Sequence, residues 1–114
     1  MTPTPELRAR LRKLLNEVIP GDGTEKDTNF TDDELDQLLT EADSIFAAAS
    51  VGWTMKAGML QAEIESYKMG DEQYDVTSLK DKLTHALMMA DRYKNMASAG
   101  QSGFMLRIKP PEVV

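Results

Sequence analysis

From Leu79 to Ala97 the apolar residues Leu79, Leu83, Ala86, Leu87, Ala90, Tyr93 and Ala97 return at every third or fourth position. A strand repeats every second residue, so a run this long with this period predicts a helix of about five turns. Lys80, Asp81, Lys82, Asp91, Arg92 and Lys94 fall mostly off the stripe, which makes the helix amphipathic. One such helix cannot bury its own apolar face, so the rest of the chain has to supply packing partners.

Three further segments carry helical signals. Thr4-Pro5-Glu6 is a helix start, with Thr as cap, Pro in the first helical position and an early acid facing the helix dipole. Leu7, Leu11, Leu14, Leu15 and Val18 then form one stripe, which Ile19-Pro20-Gly21 ends. Residues 19–30 read as a long polar loop. Next, Thr31 and Glu34 match a capping box, and Phe30 is placed to staple onto Leu35. Leu35, Leu38, Leu39 and Ala42 continue that helix to a break near residue 43, where Asp43 or Ser44 caps the next.

The third helix is expected over residues 44–68, with Ile45, Ala49, Gly52, Trp53, Lys56, Leu60, Ile64 and Tyr67 near one face. Gly52 and Gly58 each cost about 1 kcal/mol in a helix relative to Ala, so close approach of neighbouring helices is expected at both. Residues 70–76 read as a polar connection, and the fourth helix begins at Thr77 or Ser78. The expected fold class is therefore all-α, a small bundle of about four helices. After Ala97 the segment Ser98–Gly103 reads as a hinge, and Phe104–Lys109 (FMLRIK) reads as a single strand in an extended C-terminal arm. This divides the chain into a helical domain over 1–97 and a hinge with arm over 98–114.

The 114 residues fit one domain with a real core. A net charge of −6 argues against a general nucleic-acid binder, although Arg8, Arg10, Arg12 and Lys13 could touch phosphate. Without cysteine there is no disulfide framework, thiolate metal site or cysteine nucleophile. No apolar run approaches the ~20 residues that span a bilayer, and the N-terminal segment is not expected to be a secretory signal.

The chemistry-bearing motifs fail one by one. His85, the one histidine, has no serine or cysteine one turn away to serve as the nucleophile of a triad arrangement. Counting a calcium loop from Asp22 puts Asp27 at the sixth position, where glycine is required. Glu63 and Glu65 lie two apart on a helix and face different directions. There is no phosphate-binding glycine loop, H-E-x-x-H or G-x-S-x-G. A non-enzymatic chain without metal or cofactor is expected.

Binding features remain. Residues 22–43 hold nine acids and one base, while residues 5–18 hold four bases and two acids. The chain has eight methionines, and Met88 and Met89 cannot both point inward with Leu87 unless the fourth helix is covered on two sides. Phe104, Leu106 and Ile108 would share one side of a strand, with Arg107 and Lys109 on the other, a pattern suited to adding a strand to a partner.

The order of parts resembles the head–tail connector proteins, also called adaptor or head-completion proteins, of long-tailed double-stranded DNA phages. The residues that carry the resemblance are Phe30-Thr31-Asp32-Asp33-Glu34-Leu35, the stretch from Ile45 to Met69, Tyr74-Asp75-Val76, and Leu79 through Ala97. Trp53, Lys56 and Gly58 depart from the Ala-rich third helix of that pattern. The resemblance implies a virion structural protein, made in the host cytoplasm and placed at the head–tail interface. It implies a ring, usually of twelve copies, beneath the portal protein, extending the DNA channel and docking a tail-side connector or tail-completion protein. DNA would be passing cargo, and no membrane is involved. Phe104, Met105, Leu106, Arg107, Ile108 and Lys109 would then be the partner-binding segment. Arg8, Arg12, Asp27, Asp32, Asp33, Asp36, Met88 and Met89 are candidates for contacts between copies or for the channel wall. The alternative is a small helical regulator gripping one partner through a Met-rich helix face.

Overall fold

The computed structural model describes residues 1–69 and 77–106. Four helices follow in order: α1 (Pro5–Leu15), α2 (Asp32–Glu41), α3 (Ile45–Met69) and α4 (Thr77–Leu106), with a 3-10 turn at Glu25–Asp27 between α1 and α2. The fold is all-α, and no strand occurs among the described residues. The expected connection over 70–76, with Tyr74-Asp75-Val76, lies outside them.

Local chemistry sets the boundaries. Thr4 Oγ1 accepts the Leu7 N–H at 3.1 Å, and Pro5 fills the first turn of α1. Both halves of the Thr31–Glu34 capping box form, with the Thr31 N–H donating to Glu34 Oε1 at 2.8 Å and the Glu34 N–H to Thr31 Oγ1 at 3.2 Å. The N-terminal ammonium of Met1 donates to the carbonyls of Leu39, Thr40 and Ala42, closing the other end of α2. The expectation that the first helix runs to Val18 is corrected. It stops at Leu15 because Asn16 adopts the left-handed conformation (φ 58°, ψ 42°), and the Asn16 and Glu17 N–H groups return to the Lys13 and Arg12 carbonyls. Val18 is consequently exposed.

The core gathers Leu11 and Leu15 of α1, Phe30, Leu35, Leu38 and Leu39 of α2 and its entry, and Ile45, Ala48, Ala49, Trp53 and Ala57 of α3. α4 closes it with Ala86 and Ala90. The α3 and α4 helices run antiparallel. Phe46 stacks on Tyr93 at 6.1 Å, Ser50 Oγ donates to the Ala90 carbonyl at 2.8 Å, and Trp53 meets His85 edge-on. Helix α3 is thus packed by α1 and α2 on one side and by α4 on another. Leu87, expected on the α4 stripe, is half exposed.

The two α3 glycines differ. A Cβ on Gly52 would stand 2.6 Å from Leu15 Cδ2, so α1 does approach closely there. A Cβ on Gly58 would meet nothing within 4 Å, which corrects the expectation of close approach at that position. Gly58→Ala should therefore raise stability by about 0.5–1 kcal/mol. Gly52→Ala gains the same propensity but collides with a fully buried leucine, and should lower stability by about 1–2 kcal/mol. Urea unfolding midpoints of the two variants, shifted in opposite directions, check both.

The expected hinge at Ser98–Gly103 is also corrected. Helix α4 continues through it to Leu106, and so takes in Phe104, Met105 and Leu106 of the expected strand. A helix satisfies its own backbone N–H and C=O groups, whereas a lone strand in a helical protein leaves its own unpaired. That gain outweighs the helix cost of Gly100 and Gly103. Arg107, Ile108 and Lys109 lie outside the described residues.

Candidate functional site

The basic face of α1 meets the acidic α2 inside one chain. Arg8 clamps Asp36 bidentately, Nε to Oδ1 and Nη2 to Oδ2, both at 2.9 Å, and lies 3.9 Å from Asp32 Oδ2. The hydrogen bonds from Arg8 hold the Asp36 carboxyl below its ordinary value. Arg12 is buried. Its Nη1 donates to the Glu17 carbonyl and Thr28 Oγ1, each at 3.0 Å. Its Nη2 donates to the Phe30 carbonyl at 3.0 Å and Asp32 Oδ1 at 2.8 Å. Arg8, Arg12, Asp32 and Asp36 are therefore paired within the chain; Arg12 is buried by this, while Arg8, Asp32 and Asp36 stay partly exposed. The reason is geometric: the fork of a guanidinium matches a carboxylate bidentately, and the α1–α2 loop brings the two helices within reach. Asp27 is exposed and caps the 3-10 turn through the Thr24 N–H at 2.8 Å, and Asp33 is exposed in the first turn of α2.

Of the two adjacent methionines, Met88 faces solvent and Met89 packs partly buried against the core.

A second ionic centre was not found from the sequence. Glu17 is buried just past the α1 cap, and Lys56 Nζ lies 2.7 Å from its Oε2. The Asn29 N–H donates to Glu17 Oε1 at 2.8 Å, and Asn29 Nδ2 to Oε2 at 2.9 Å. Lys56 also donates to the Leu15 carbonyl at 2.7 Å and lies over the Trp53 ring at 4.3 Å, while Trp53 Nε1 donates to the Leu14 carbonyl at 3.0 Å. The signal was Lys56 itself, a cation within an apolar stripe, which needs a partner when buried.

Burial alone pushes the Glu17 carboxyl up. The hydrogen bonds from Lys56 and Asn29 outweigh that, and the group lies below its ordinary value of 4.5. A carboxyl depressed on folding adds stability above its unfolded value and loses it as the pH falls through the folded one. Stability should therefore drop as the pH falls below the ordinary value of 4.5 and through the lowered folded one, and Glu17→Gln should flatten that drop. Urea midpoints measured across this range give the test.

Beside this centre opens a cleft of about 400 Å³, lined among others by Trp53, Lys56, Met59, Glu63, Lys82 and His85. It offers ammonium groups, an imidazole, a carboxylate and an apolar wall, which is the chemistry of a binding surface. His85 packs edge-on against Trp53 at 5.4 Å. Among the described residues, no group of three or more His, Asp or Glu is placed to hold a metal ion, and no helix is long and apolar enough to cross a membrane. Comparison of the chain with protein-family models, curated proteins and solved structures returns no match.

Proposed function

We propose that the chain is a structural assembly protein, a subunit of the ring that connects head to tail in a long-tailed double-stranded DNA phage. In this reading copies sit beneath the portal protein, extend the DNA channel and dock the next tail-side protein, within the virion. The observation that carries it is the division of labour in the fold. A compact core formed by α1, α2 and the first half of α3 is joined to a long α3–α4 hairpin, whose outward residues Val51, Met55, Met59, Met88 and Met96 are all more than a third exposed. Contiguous apolar residues left open on long helices mark a surface that other protein covers. The excess of acid over base in residues 5–43 suits a wall past which DNA slides by charge repulsion. The exposed Met88 also favours a second reading, a helical regulator that grips one partner through this face.

Affinity capture from the source cells separates the two. The full-length chain and versions ending at Ala97 and at Leu106 are tagged, and their complexes are imaged by electron microscopy. Recovery of a portal-bearing ring with the full chain supports the connector, and its loss on truncation assigns Phe104–Lys109 to the portal contact. Recovery of one partner at fixed small stoichiometry, with no ring, replaces the connector with the regulator.

A further inference from the structure

The cleft beside the Glu17–Lys56 pair has a fixed inner wall and an unpaired rim. The wall is held from behind. Trp53 Nε1 donates to the Leu14 carbonyl at 3.0 Å, and Lys56 is tied to Glu17 and to the Leu15 carbonyl, each at 2.7 Å. Asn29 gives both its backbone N–H and its side-chain N–H to Glu17. These groups are engaged inside the fold, and the Lys56 charge is matched there. The rim is formed by Asn16, Glu63, Lys82 and His85. Among the described residues none of these four side chains has a hydrogen-bond or ion-pair partner, and His85 has its edge contact with Trp53.

The unmatched charges of the rim are thus one ammonium, Lys82, and one carboxylate, Glu63, and the fold sets them apart. Phe46–Tyr93, Ser50–Ala90 and Trp53–His85 fix the antiparallel register of α3 and α4. Carried on by one turn, that register puts Lys82 level with Ala57. Glu63 stands six residues further along α3, which is about 9 Å. His85 lies one turn from Lys82 on α4, so an imidazole joins the ammonium at one end of the cleft. Met59 and Leu60 fall between the two ends and supply an apolar lining.

A ligand with a single charge cannot satisfy both ends. A separation of about 9 Å is within one Debye length at 0.1 M salt. An anion drawn to Lys82 is therefore repelled by Glu63, and a cation drawn to Glu63 is repelled by Lys82. A molecule carrying both charges, with an apolar body between them, is attracted at each end. We propose that this cleft binds a small dipolar ligand, its carboxylate against Lys82 and His85, its ammonium against Glu63 and its body along Met59 and Leu60. A short apolar peptide with both ends free has this chemistry, and three extended residues span about 10 Å. The cleft volume of about 400 Å³ is in the range of small-molecule sites. The inner wall is already ordered, so binding has little of it left to immobilise. The site stands apart from the ring reading and does not depend on it.

Trp53 is the one tryptophan of the chain and lines the cleft, so its fluorescence in the full-length protein reports binding there. Alanyl-leucyl-alanine with both ends free is titrated at pH 7, beside its N-acetyl form and its C-terminal amide, with calorimetry run in parallel. The free peptide should bind saturably with a Kd of about 1 mM or below, and each blocked form at least about ten-fold more weakly. Lys82→Ala should weaken the free peptide about ten-fold and erase its advantage over the amide, while its advantage over the N-acetyl form remains. Glu63→Gln should do the converse. Both residues are exposed, so neither change disturbs the core. Equal binding of the three peptides would overturn the dipolar assignment. Discrimination that survives both substitutions would place the binding elsewhere and overturn the site. The absence of saturable binding by either method up to about 10 mM would overturn the proposal as a whole.

Discussion

Arg12→Ala lowers the folding stability by about 3–5 kcal/mol, the largest loss expected from any single truncation in this chain. The side chain is only 5% exposed and bridges four acceptors drawn from three places: the turn after α1, the loop, and the first turn of α2. Alanine removes all four donors at once. Asp32 is partly open to solvent and turns to water at little cost. The Glu17 carbonyl is buried in its contact with Arg12 and has no such recourse, so it incurs the full penalty of an unpaired acceptor, and the Phe30 carbonyl is left with the Thr28 hydroxyl as its one donor. The main loss therefore comes from the loop carbonyls rather than from the salt bridge. Asp32→Ala, which breaks only the ion pair, should cost about 1 kcal/mol or less. Arg12→Lys keeps the charge but lacks the planar fork that reaches both sides, and should recover less than half of the loss. Guanidinium unfolding followed by circular dichroism gives all three values, and an unchanged m-value would show that the native state is otherwise intact. An Asp32→Ala cost as large as that of Arg12→Ala would overturn the carbonyl account.

The same arginine shows where the sequence was readable and where it was not. Capping chemistry was readable, because Thr31 and Glu34 act on each other's backbone within one turn. The burial of Phe30 beside Leu35 follows from the same local geometry. The end of α1 was not, since Val18 continues the apolar period while Asn16, an unremarkable polar residue in the sequence, breaks the helix by its left-handed conformation. Charge asymmetry between α1 and the acidic segment was plain in composition. Composition does not say whether opposite charges meet within a copy or between copies, and here Arg8 and Arg12 find their acids at home. At the far end of the chain, Gly100, Ser102 and Gly103 read as a hinge, yet the helical ladder of α4 carries through them. Lys56 stood out on the apolar face of α3, but Glu17 did not stand out, because 39 residues and a loop separate the partners and only the folded path joins them.

Breaking that pair from either side destabilises the protein by about 3 kcal/mol, and breaking it from both sides at once costs less than the two losses added together. Glu17→Gln leaves the Lys56 ammonium beneath the core with the Leu15 carbonyl and the Trp53 ring as its remaining partners. Those partners attract a cation but do not neutralise it. Lys56→Met leaves a buried carboxylate with only the two Asn29 donors, which satisfy hydrogen bonds but bring no charge. In the double variant no ion remains. The methionine fills the lysine's path along Trp53, and the glutamine side-chain oxygen still accepts from Asn29. The coupling in this cycle, read from urea unfolding at neutral pH, should be about 1.5–3 kcal/mol. Once the pH falls through the lowered folded value the parent's carboxyl takes up a proton, so the coupling should shrink toward zero as the native pair loses its charge. If the coupling is near zero at neutral pH, the 2.7 Å contact is not an energetic pair, and the hold on the α1 terminus must come from the Trp53 and Lys56 hydrogen bonds to the Leu14 and Leu15 carbonyls alone.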